Sequence, residues 1–82
     1  MKAPLLNVMS LQLPAYLSDK CQALLEDIQR ADSADAALLT EQRTVGFTEA
    51  LEWLKLLQPT DLERLHELYE RALTARIAVL GH

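Results

Sequence analysis

The stretch that most constrains the fold is the last one, residues 60–81, which reads TDLERLHELYERALTARIAVLG. Leu62, Leu65, Tyr69, Ala72, Leu73, Ile77 and Leu80 recur at three- and four-residue spacing, the pattern of one apolar stripe along a helix. Asp61, Glu63, Glu67 and Glu70 fill the first part and Arg71 and Arg76 the second, which complements the helix dipole. Glu67 and Arg71 also stand in the favourable i,i+4 order. Thr60 followed by Glu63 reads as a capping box, with Pro59 stopping the preceding element. Gly81 reads as a left-handed stop. A helix over residues 60–80 follows, and its apolar stripe has to lie against something.

Two further helical patterns are available to cover it. Pro14 suits the first position of a helix, with Ser18 as a competing cap. From there Leu17, Cys21, Leu24, Ile28 and Ala31 form a stripe that Leu25 widens, while Lys20, Glu26, Asp27 and Arg30 lie off it. Asp32 or Ser33 can cap the next helix. That helix is less clean. Leu38 and Leu39 are apolar, Glu41 to Thr44 are polar, and Phe47, Ala50, Leu51, Leu54 and Leu57 then share a face with Trp53 at its edge. Trp53 is therefore expected to be largely buried. Gly46 sits inside the pattern, and a continuous helix over 34–57 is favoured over a break at 44–46, with Gly46 allowing a tight helix crossing. The expected fold is all-α: three helices at 14–31, 34–57 and 60–80, a helical hairpin plus an N-terminal helix, within one domain spanning 14–82.

Composition narrows the function classes. Eighty-two residues make a domain small enough that a single core leaves little stability to spare. Half the residues are apolar, with only two Gly and three Pro, which suits helices rather than sheets or disorder. Cys21 is the lone cysteine, so no internal disulfide can form, and a reducing, cytoplasmic setting is expected. On its apolar stripe, with no flanking cation, it reads as a buried structural thiol. The net charge of −4 does not attract nucleic acid or anionic membranes. No apolar run approaches the roughly 18 residues of a membrane span, and residues 1–13 lack the features of a signal peptide.

Those first thirteen residues, MKAPLLNVMSLQL, form an apolar arm. Leu5, Leu6, Val8, Met9, Leu11 and Leu13 are many apolar groups for a terminus, and no cap commits them to a helix. Either the arm packs along its own helices or it docks on a partner. On the second reading, removing residues 1–13 leaves most of the stability in place and weakens association. Leu56, Leu68 and Val79 add apolar surface beside the main stripes, more than a three-helix monomer is expected to hide. With the arm they are the candidate partner-binding residues, and a homodimer is expected.

Chemical sites are poorly supported. Glu63-x-x-His66 has the spacing of carboxylate-bridged di-iron bundles, but a second such motif is missing, and His66 with Glu70 does not complete a zinc-protease pattern. Gly46-Phe47-Thr48 before Trp53 resembles the turn of a helix-turn-helix. Yet residues 31–58 carry Arg43 and Lys55 against Asp32, Asp35, Glu41, Glu49 and Glu52, a surface that phosphates would avoid. No nucleophile–base pair has a recognisable spacing. No catalytic, cofactor-binding or metal-ligating residue is expected, and no cofactor.

Ala50, Leu51, Trp53 and Leu54, set in a helical hairpin, resemble the core of small phage-encoded proteins that bind and inhibit bacterial host regulators; the likeness covers residues 33–80. It implies a dimeric, non-enzymatic binder of a host protein. The expected function is therefore that of an adaptor, inhibitor or regulator that masks a partner protein's surface. A DNA-associated transcriptional regulator with a degenerate helix-turn-helix is the alternative.

Overall fold

A computed structural model describes residues 8–11 and 13–81, and for Met9 and Ser10 the backbone alone. A short 3-10 turn (Val8–Leu11) precedes three helices: α1 (Ala15–Gln29), α2 (Ala34–Trp53) and α3 (Pro59–Leu80). No strand occurs among the described residues. The short connections make sequential helices antiparallel neighbours. It follows that α1 and α3 run parallel: Tyr69 meets Cys21 midway along them, and Arg76 meets Ala31 at their C-terminal ends.

The stripes read from the sequence in α1 and α3 are the ones that pack. Leu17, Cys21, Leu24, Leu25 and Ile28 of α1 are buried against Leu62, Leu65, Tyr69 and Ala72 of α3. Two polar contacts fix the register. The Tyr69 hydroxyl donates to the Cys21 carbonyl oxygen at 3.1 Å, and Arg76 Nε donates to the Ala31 carbonyl oxygen at 2.7 Å. The second satisfies a carbonyl that the end of α1 leaves without a helical partner.

Of the two candidate caps of α2, Ser33 is the one used, its hydroxyl accepting from the Ala36 amide at 3.0 Å. The ends of α3 differ from expectation. No capping box forms at Thr60: α3 starts one residue earlier, with Pro59 in the first turn and Gln58 as a cap that makes no side-chain bond. Proline fits there because its missing N–H would be unpaired anyway. Gly81 has φ −76°, so the left-handed stop is absent too. Arg30 pairs with Glu26 and Asp27, each at 3.8 Å, whereas Glu67 and Arg71 form no ion pair among the described residues.

α2 departs most. It runs unbroken through Gly46, so Gly46-Phe47-Thr48 is helix and not a turn, but it stops at Trp53 and not at 57. The stop is a Schellman motif: Leu56 N–H donates to the Leu51 carbonyl and Lys55 N–H to that of Glu52. Lys55 takes the left-handed position at φ 56°, a conformation that strains a residue bearing a Cβ. The face α2 buries is Ala37, Thr44, Thr48 and Leu51; of the expected face, Leu51 is buried and Phe47 and Leu57 are half-buried against the core. Ala50 and Leu54 are exposed, and Trp53 is 83% exposed where burial was expected.

Two threonines can face the core because the helix itself satisfies them. Thr44 Oγ1 donates to the Glu41 carbonyl, and Thr48 Oγ1 lies 2.9 Å from the Thr44 and 3.0 Å from the Val45 carbonyl oxygen. Their hydroxyls are thus bonded while their methyls pack. Gly46 points the other way. It is exposed, and a Cβ added there would meet nothing within 4 Å, so among the described residues no helix crosses at it. Its cost relative to Ala, about 1 kcal/mol, is not offset by any contact among the described residues.

Candidate functional site

The predicted partner-binding residues separate into two sets. Val8 is completely buried in the core, and its N–H donates to Gln22 Oε1 at 2.9 Å. Leu11, Leu13 and Leu68 are half-buried against the same core. The part of the arm from Val8 onward therefore packs on its own helices, and removing it would open the core, contrary to the expectation that residues 1–13 are dispensable for stability. Leu5 and Leu6 lie outside the described residues, as does the side chain of Met9. Leu56 and Val79 are exposed.

The polar groups that invited chemical readings are not gathered into a site. Cys21 is fully buried; burial pushes its thiol up from the ordinary value, against a smaller opposing pull from the Tyr69 hydroxyl. It is a packing group held as the neutral thiol. Glu63 and His66 border a shallow depression of about 170 Å3 with Thr48, Glu52 and Pro59. A wider one of about 520 Å3 lies open to solvent along Glu67, Glu70, Arg71 and Thr74. Neither encloses a ligand, and among the described residues no three His, Cys, Asp or Glu are grouped to hold a metal ion.

What the fold does present is the outward side of α2. Leu39, Gly46 and Trp53 recur every seven residues, which on a helix drifts by only about 20° per step and so leaves them in one line. Fourteen residues at 1.5 Å each carry that line over about 21 Å. Leu39 is 63% exposed, Trp53 83%, and Leu54 beside it 67%; Leu38 is exposed as well. Arg43 and Glu49 flank the line, both exposed and neither in an ion pair among the described residues. The side of α2 that faces away from the core is thus richer in large apolar groups than the side that faces it. Reading Trp53 as core concealed this surface. The seven-residue recurrence of Leu39, Gly46 and Trp53 was the signal for it. Among the described residues, no helix is long and apolar enough to cross a membrane. Compared with known proteins, the chain matches no protein family, no curated protein and no solved structure.

Proposed function

We propose that this is a non-enzymatic protein-interaction protein that acts by covering a surface of a protein partner. The observation that carries the reading is the exposed line Leu39–Gly46–Trp53 with Leu54 on α2. A large aromatic held on a rigid helix with most of its surface in water is unfavourable unless something covers it, and such anchors dominate protein interfaces. The flanking charges are of both signs, Arg43 and Lys55 with Glu49 and Glu52, which suits a protein surface better than a polyphosphate. A cytoplasmic setting fits the free thiol of Cys21. A host regulator as the masked partner, as the phage-protein resemblance implies, belongs to the same reading.

The test is retention on the immobilised chain. Free chain and a bacterial lysate are passed over it, and over the Trp53→Ser/Leu54→Ser double variant. The natural chain is expected to retain a protein, its own copy or another, that the variant releases, with helicity by circular dichroism equal in the two. Identical retention on both surfaces would overturn the reading.

A further inference from the structure

We propose that the partner seated on the outward face of α2 is a second copy of this chain, docked antiparallel with the two Gly46 residues at the crossing. The inference rests on reading that face as an interaction surface.

A two-fold antiparallel helix pair brings residues equally far before and after its centre to the same level, so a face can pair with itself only if its two halves are complementary. About Gly46 they are. Leu39 lies seven residues before it and Trp53 seven after; Leu38 lies eight before and Leu54 eight after. The four are large, apolar and exposed. Arg43 lies three before and Glu49 three after, so each Arg43 comes level with Glu49 of the second copy, with no side chain at Gly46 between them. Two opposite-charge pairs result, made from residues that have no ion pair among the described residues. A parallel pairing puts Arg43 level with Arg43 and Glu49 with Glu49, which charge disfavours. The open space around Gly46 then has an occupant: a missing side chain lets a second backbone approach closely.

The size of the face sets the strength. Trp53 contributes on the order of 200 Å2, and the four apolar residues together several hundred per copy. That is below the roughly 800 Å2 per partner of a standard interface. A weak, concentration-dependent dimer is expected.

Light scattering and sedimentation should show the 9.2 kDa chain doubling in mass as concentration rises, with Trp53 emission moving from hydrated to shielded. Gly46→Gln places a good helix former in open space, so it should raise the melting temperature of the free chain while abolishing the dimer. Arg43→Glu and Glu49→Arg should each weaken association by about tenfold or more, and the double exchange should restore it. A dimer indifferent to Gly46→Gln and to the charge exchanges overturns this geometry. A monomer at every accessible concentration overturns the inference alone if the α2 face still retains another protein, and overturns both if it retains none.

Discussion

The Tyr69 hydroxyl donates to the carbonyl oxygen of Cys21 at 3.1 Å, joining residues 48 apart in the chain across the contact between α1 and α3. Both side chains are buried, so the bond is made away from water, where a hydroxyl without a partner is costly. Tyr69→Phe keeps the ring and removes the donor. It is expected to lower unfolding free energy by about 0.5–1.5 kcal/mol, whereas Tyr69→Ala empties the site and costs about 3–5 kcal/mol. Urea titrations of the two variants check both. Equal losses would mean that the bond, not the ring, holds the helices.

The same pair makes the fold sensitive to alkali. Burial is the main cause that raises both groups, Cys21 from 9.0 and Tyr69 from 10.0, and the neighbouring Cys21 raises Tyr69 further. Below about pH 8 both are neutral in folded and unfolded chain, and stability is independent of them. At higher pH the unfolded chain releases these protons while the folded chain holds them, so stability is lost as pH rises. The slope approaches about 1.4 kcal/mol per pH unit for each group. Urea midpoints should be level from pH 7 to 8 and fall steadily above 9, less steeply for Tyr69→Phe. A midpoint unchanged at pH 10.5 would contradict the burial of both groups.

Lys55 occupies the left-handed position of the motif that ends α2. Glycine adopts that conformation without the Cβ clash. The Lys55 side chain is exposed and makes no ion pair among the described residues, so Lys55→Gly removes strain and little else. A gain of about 1 kcal/mol is expected, read as a higher urea midpoint at unchanged slope. A loss would show that Lys55 makes a contact that outweighs its strain.

Val8 tests whether the arm belongs to the core. It is fully buried, and Val8→Ala deletes two methyl groups, about 0.8 kcal/mol each, for a loss near 1.5 kcal/mol. Deleting residues 1–13 should cost more, since Leu11 and Leu13 leave with it. Thermal melts of the two proteins check the order. A truncated chain as stable as the natural one would place the arm outside the core.

What was legible in the chain follows from how each residue satisfies itself. The α1 and α3 stripes could be read directly because their inward residues are apolar and their outward ones charged. α2 could not, because Thr44 and Thr48 count as polar by composition but bond their own helix and pack as small hydrophobes. With no strong apolar stripe on the inner side, Leu54 and Trp53 draw the expected face of the helix toward themselves, and it stands rotated from the buried one while sharing Leu51 and the half-buried Phe47 with it. Its length was overestimated for a related reason: Leu56 and Leu57 continue the apolar run, while the stop is carried by a lysine in a position that sequence associates with glycine. The arm from Val8 was ambiguous because neither the backbone bond to Gln22 nor its place between helices leaves a local pattern.

Arg76 has a reach beyond its own hydrogen bond. Past Ala72, α3 is only half-covered at Leu73, Ile77 and Leu80, and exposed at Thr74, Ala75, Ala78 and Val79. Such an end, left to itself, would open and close independently of the rest, and its amide protons would exchange with solvent first. The guanidinium seated on the Ala31 carbonyl ties it to the corner between α1 and α2. The last two turns of α3 are therefore expected to keep time with that corner: whatever loosens the backbone at Ala31 should free the end of α3 as well, and the amide protons of the two should exchange together.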